Sequence, residues 1–220
     1  VVGAERTSRL YQPCNVYEWG PEGTFEIASA LGSITSLAHY RTDGYVVGAR
    51  SGDFWLRNRQ AQTAVRRRLT DLSLDENQWP RSLACSADGQ YVGVIGRGLF
   101  VTDGAMQGVV ARSHEVGYAK RALMTADNDL VIAQENGRLA LLRRNGSRLV
   151  STKEKMFDGL GGLAYVPSRR QIIYADAYGG LNFLNDKTLE GLTASGGPGF
   201  RFDKATSLTV SESGDFIAVG

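Results

Sequence analysis

Five leucines, each preceded by a small residue, recur along this 220-residue chain as Ser36-Leu37, Ser82-Leu83, Ala122-Leu123, Gly162-Leu163 and Ser207-Leu208. The leucines lie 46, 40, 40 and 45 residues apart. A fixed period of that size marks a repeat architecture in which each copy is one supersecondary unit that buries its apolar faces against its neighbours. It is too long for leucine-rich or ankyrin repeats. It is the length of four short strands joined by tight turns.

The interior of each copy supports that count. After the small-Leu strand comes a polar turn: Thr42-Asp43-Gly44, Ala87-Asp88-Gly89, Asp127-Asn128-Asp129, Ser168-Arg169-Arg170 and Glu212-Ser213-Gly214. Asp, Asn and Gly suit such turns because they tolerate positive φ or bond their own backbone. A second strand follows at 45–49, 91–95, 130–134, 171–175 and 216–220, nearly all apolar, as expected of a strand buried on both faces. A further glycine turn opens third strands within 50–58, 96–103, 135–143 and 177–186. Fourth strands at 63–69, 108–114, 148–153 and 189–194 are more polar, as outer edges tend to be. The segment 69–79 is the best helical candidate and is too short to outweigh a long connecting loop.

These features together predict an all-β chain, a β-propeller of four-stranded antiparallel blades. The last copy stops after its second strand, while 15–19 and 24–30 read as a third and a fourth strand with no predecessors. Joining them gives five blades in a single domain spanning 1–220. The blades would be 34–80, 81–120, 121–160 and 161–204, and a closing blade shared by 205–220 and 15–33. The alternative is a fragment of a larger, six- to eight-bladed ring.

Composition agrees: 27 glycines against 5 prolines imply many tight turns, and 42% hydrophobic with 22% charged residues imply an ordinary folded domain. A formal charge of +2 argues against nucleic acid as the default partner, and no apolar run approaches a membrane-spanning length. Cys14 and Cys85 form no CxxC pair, so free thiols are expected, with one disulfide as the other possibility. Unpaired cysteines and an opening VVGAERTSRL without signal-peptide layout favour an intracellular, cytoplasmic protein. Lacking an initiator Met, that opening also suggests an excised domain or a processed chain.

The stretches SLACSADGQYVGVIG and SLTVSESGDFIAVG resemble the first half of a WD-repeat blade, and RSGDFWLRN and ENGRLALLR are similar to that family's glycine turn and third strand. The resemblance covers about 15–220 and is degenerate, since no third strand ends in Trp-Asp and no Gly-His pair precedes the first strand. It implies a scaffold for protein complexes rather than an enzyme.

The search for chemistry leads the same way. The two histidines, His39 and His114, belong to no metal-binding pattern; HExxH, Cys/His clusters, calcium loops and nucleophile elbows are absent from the sequence. No cofactor is expected. The alternative is a small-ligand-binding or enzymatic propeller, quinoprotein- or hydrolase-like, working from its central channel. For the scaffold reading, turns between second and third strands and the connections between blades offer the contact face. They carry Arg50, Asp53, Trp79, Arg97, His114, Tyr118, Arg138, Tyr178 and Phe200, a set rich in the residue types that anchor interfaces. A protein partner or larger complex is therefore expected. Arg66-Arg67-Arg68 alternate between two strand faces and so cannot form one patch; they read as a solvated, aggregation-resistant edge, with contact to phosphate or an acidic partner as the alternative.

Overall fold

The computed structural model describes residues 2–5, 13–20, 23–31, 33–40, 44–58, 63–72, 80–96, 98–113, 119–192, 206–211 and 213–220. Among them the chain is all-β, with two short 3-10 turns, at Leu69–Leu72 and Pro167–Arg169, and no α-helix. Among the described residues no helix is long and apolar enough to cross a membrane. The chain divides into two compact units, Val1–Val110 and Ala111–Gly220.

In the first unit, β1 (Val2–Glu5), β2 (Pro13–Gly20) and β3 (Gly23–Leu31) form an antiparallel sheet in that order. The first repeat follows as β4 (Ile34–Tyr40), β5 (Gly44–Ala49), β6 (Asp53–Asn58) and β7 (Thr63–Arg68), an uninterrupted antiparallel meander. The second repeat begins β8 (Ser82–Cys85), β9 (Tyr91–Ile95) and β10 (Leu99–Asp103), and β10 turns into β11 (Val109–Ser113), the Asp103 N–H donating to Gly108 O at 3.1 Å.

In the second unit the third repeat is β12 (Ala119–Met124), β13 (Leu130–Gln134), β14 (Arg138–Asn145) and β15 (Arg148–Met156). The end of β11, Ala111–Ser113, belongs to this unit and runs beside β15, parallel through Arg112 and Arg148. The fourth repeat is β16 (Gly162–Val166), β17 (Gln171–Ala175) and β18 (Leu181–Asn185), and β19 (Leu208–Val210) with β20 (Ile217–Val219) opens a fifth.

The turns between first and second strands share one device. In the second, third, fourth and fifth repeats a left-handed residue reverses the chain: Gly89 (φ 67°), Asn128 (φ 62°), Arg170 (φ 50°) and Gly214 (φ 77°). The N–H of each donates to the carbonyl three residues back, at Ser86, Thr125, Pro167 and Ser211. Glycine and asparagine enter this region at little cost. Arg170 is held there by ion pairs described below.

Second strands are buried on both faces, as their apolar runs require: every residue of β5 and β13 is buried, and four of five in β9 and β17. Period-2 alternation sends the two faces into different cores. From the first repeat, Val46 and Phe54 pack with Leu83, Val92, Val94 and Phe100 of the second repeat. Tyr45, Val47 and Trp55 turn the other way and pack with Val16 of β2. The second unit repeats the scheme, Val131, Ala133, Leu139 and Leu141 of the third repeat meeting Ile172, Tyr174 and Leu184 of the fourth. Successive sheets thus pack face to face, with first strands beside one another: β4 beside β8, and β12 beside β16 beside β19.

Two segments differ from the sequence expectation. The fourth strand expected at 189–194 is reduced to a bridge between Leu184 and Gly191. The chain turns tightly on Leu189 (φ 58°), and the Leu192 N–H donates to Phe183 O before the described segment ends. The second difference is β1, which occupies the edge of β2 (Val2 opposite Glu18, Ala4 opposite Val16) that a shared closing blade would give to 216–220. β19 and β20 form a two-stranded sheet of their own. The blade count of five therefore gains no support.

The small residue before each leucine has a steric reason at Gly162. A Cβ there would lie 2.5 Å from the Leu208 Cβ and 3.0 Å from the Leu208 N. Backbone on that side cannot retreat cheaply, so G162V should lower stability by roughly 1–3 kcal/mol, as overpacking does. Gly191, where a Cβ would meet nothing nearer than the Lys155 Nζ at 4.0 Å, supplies the control, and G191A should be near neutral. Urea unfolding of both variants checks the contrast; equal effects would remove the close-approach explanation.

Candidate functional site

An up-and-down meander has two ends. One carries the turns between second and third strands, the other those between first and second. Connections between repeats meet the former. The Leu69 N–H donates to Gly52 O in the first unit; in the second, Phe157 N–H donates to Gly137 O and Ala177 N–H to Asp158 O. Hence turns and connections converge within each unit, where the expected contact residues were placed.

Of those residues, Arg50, Asp53, Arg138 and Tyr178 are described; Trp79, Arg97, His114, Tyr118 and Phe200 lie outside the described residues. Arg50 is exposed on the turn before β6. Tyr178 is 74% exposed. Its turn is rigid: Asp176 Oδ1 accepts from the N–H groups of Tyr178 (3.0 Å) and Gly180 (2.8 Å). An aromatic ring is thereby held in solvent on a fixed backbone. Arg138 is committed to Glu154 through Nε and Nη2, and Ser151 supports the same carboxylate at 2.8 Å. Its guanidinium stiffens the β14–β15 edge.

Asp53 is buried, only 5% exposed. Its position opposite Arg68, with Trp55 opposite Arg66, brings both arginines to its side of the sheet. Asp53 Oδ1 accepts from Arg66 Nε at 3.0 Å and from Arg68 Nε at 3.2 Å, and Oδ2 accepts from Ser51 Oγ at 2.7 Å. The Arg66 guanidinium also lies 5.8 Å from the Trp55 ring centre. Arg67, between them, has a buried Nε with no hydrogen-bond partner. The alternation read from the sequence thus splits the three arginines two against one. What the sequence did not show is that the two share a carboxylate, because that depends on the β6–β7 register.

At the opposite end of the meanders, three acids meet three bases. Arg170 pairs with Asp127 and with the buried Asp186, which also accepts from Tyr165 Oη at 2.7 Å. Lys187 reaches Asp127 at 3.3 Å, and Arg169 pairs with Asp215 at 2.6 Å. Burial and the bond to Asp186 push the Tyr165 phenol up to about 12, while hydrogen bonding to Arg170 lowers Asp127. These pairs tie the turns of the third, fourth and fifth repeats together. They are structural.

Other candidates carry little chemistry. His39 meets the Tyr45 ring edge-on at 5.3 Å, as its cross-strand neighbour. Cys85 is a free thiol that burial pushes up to about 12, which keeps it protonated and unreactive. Among the described residues, no three His, Cys, Asp or Glu side chains are grouped to hold a metal. No family model matches this chain, and no curated protein matches it.

The Asp53 cluster makes a stability prediction. Burial works to raise the carboxyl, but hydrogen bonds from Arg66 and Ser51 and the charges of Arg66 and Arg68 outweigh it, and the group titrates below its ordinary value. A depressed folded-state value means the ionised form stabilises the fold above the unfolded value, about 3.9. That contribution disappears as pH falls through the folded-state value. D53N should therefore cost about 1–2 kcal/mol at pH 7, discounted for the half-exposed arginines. The gap between D53N and the parent should close below about pH 4. Denaturation at pH 7, 5 and 3 measures it; a gap that stays constant would assign Asp53 a merely steric role.

Proposed function

We propose that this chain is a β-propeller, or an arc of one, of WD-repeat-like character, and that it serves as a scaffold receiving a protein or peptide partner. The partner meets the turns between second and third strands and the connections that join them. The observation that carries this reading is the packing within each unit: successive sheets lie face to face with their first strands side by side, while the strand-joining turns converge at one end. That is how propeller blades stack, and it leaves loops on a rigid frame as the part able to vary. Because β1 holds the edge of β2, we favour the larger ring over the five-bladed one with a shared blade.

Within this reading Tyr178 is the leading anchor. Tyr, Trp and Arg dominate the energetics of interfaces, and a backbone already braced costs little further entropy on binding. A photo-crosslinking residue at 178 of the full chain, expressed in its own cells, should capture a discrete protein. The same probe at Ser213, exposed on a turn of the opposite end, should not. Y178A should weaken the captured complex about tenfold with an unchanged melting temperature. Capture equal at both positions, or at neither, would sink this choice of contact end.

A further inference from the structure

The sequence holds two Asn–Gly pairs, and they flank β14: Asn136-Gly137 leads into it and Asn145-Gly146 leads out. In such a pair the glycine amide nitrogen can attack the asparagine side chain, because no Cβ on the glycine blocks its approach. Whether it does so depends on how each end is held. The first is clamped. Gly137 is buried and left-handed (φ 86°); its N–H donates to Gln134 O at 3.1 Å, and its own carbonyl accepts from the Phe157 N–H at 3.1 Å. Asn136 Oδ1 is engaged too, accepting from the Arg138 N–H at 3.1 Å. A Cβ on Gly137 would run into the Phe157 carbonyl, so this backbone has no space to swing.

The second is open. Residues 143–148 are all exposed, and a Cβ on Gly146 would meet no heavy atom within 4 Å. Among the described residues, neither the Asn145 carboxamide nor the Gly146 N–H has a hydrogen-bond partner. Gly146 (φ 59°) and Ser147 make a two-residue turn, and Asn145 opposite Arg148 is the last pair of the β14–β15 ladder. Turning Asn145 out of its extended conformation therefore costs that closing pair and nothing beyond it. Beside this tip lies the end of β11, where the Arg112 N–H donates to Ser147 O at 3.0 Å.

We infer that Asn145 is a modification site that converts spontaneously, through a cyclic imide, to aspartyl and isoaspartyl forms, and that the isoaspartyl form unseats β11 from the hairpin tip. Gly146 N bonds to Asn145 Cγ, the Cγ–Nδ2 bond breaks, and the side-chain nitrogen departs as ammonia carrying the Gly146 proton. Water then opens the imide. Cleavage between the ring nitrogen and Cγ restores the normal backbone with an aspartate at 145. Cleavage between that nitrogen and the Asn145 carbonyl carbon sends the chain through Cβ and Cγ instead. Water is the only reagent consumed. The isoaspartyl backbone is one methylene longer, and in a two-residue turn that displaces Ser147 O, the acceptor of Arg112.

The test incubates the full chain in mildly alkaline buffer, digests it at acidic pH, and follows the peptides carrying Asn136 and Asn145 by mass spectrometry for replacement of NH by O. Conversion should be about tenfold faster at Asn145, since the clamped pair must first break its hydrogen bonds. In concentrated urea, with the fold gone, the two rates should converge. A contrast that persists in urea would assign the difference to neighbouring sequence and overturn the site. Equal rates in the folded chain, or an Asn145 that does not convert, would overturn it as well. Amide hydrogen exchange at Arg112 reads the consequence for β11. It should quicken severalfold in the isoaspartyl form and keep the parent rate in N145D, which carries the same charge on a normal backbone. Unchanged protection in the isoaspartyl form, or equal loss in N145D, would refute the unseating.

Discussion

Where the first strands of the fourth and fifth repeats run side by side there is no room for a side chain at position 162, since a Cβ on Gly162 would lie 2.5 Å from that of Leu208. The rest of the architecture follows from that closeness. Within each unit, sheets whose first strands lie together also lay their faces against one another. Second strands, one step out, are then covered twice and must be apolar throughout, as β5 and β13 are. Fourth strands lie farthest out and can carry charge, as Arg66, Arg68, Lys153 and Glu154 do. A gradient from small to apolar to polar across each repeat is the chemical record of one geometric condition.

The two ends of the meanders solve different problems. At the end bearing the left-handed turns, Asp127 and Asp215 meet Arg169, Arg170 and Lys187 across repeat boundaries, and Asp186 holds Arg170 from within the fourth repeat. Those contacts also hold Arg170 in a backbone region where a non-glycine residue needs compensation. At the other end the polar groups serve their own repeat, as Asp53 does with Arg66 and Arg68, and Arg138 with Glu154. One end fastens neighbours together. The other keeps each turn rigid while leaving Arg50 and Tyr178 in water.

Legibility in the sequence tracked how local the cause was. The second strands at 130–134 and 171–175 were readable to the residue, because an apolar run between two turns carries its own boundaries. The left-handed turns were equally plain wherever Asn or Gly marked them. Segment 189–194 misled, since its Leu and Thr suggest a strand while the turn at Leu189 shortens the ladder. β1 was missed because four residues, VGAE, show no periodicity and become a strand through pairing with β2. Asp53 looked like a surface acid in a glycine turn. Its burial comes from β7, thirteen to fifteen residues away, whose register no local pattern states.

That same non-locality bears on how such a fold acquires specificity. Strands within the repeats are nearly interchangeable, since each answers to the same packing condition. Turns are not so bound, and the three that can be compared have diverged completely. In the first repeat the turn holds a buried acid under two arginines; in the third, an arginine sealed to a glutamate; in the fourth, an exposed tyrosine braced by Asp176. Each is stiffened by hydrogen bonds to a carboxylate, so the shape of each turn is fixed. On the scaffold reading proposed above, rigid presentation would lower the entropic cost of association and differing chemistry at equivalent positions would make the set selective. A common repeat frame thus carries individually braced turns of differing chemistry, Asp53 with Arg66 and Arg68 in the first repeat and Tyr178 over the Asp176 brace in the fourth.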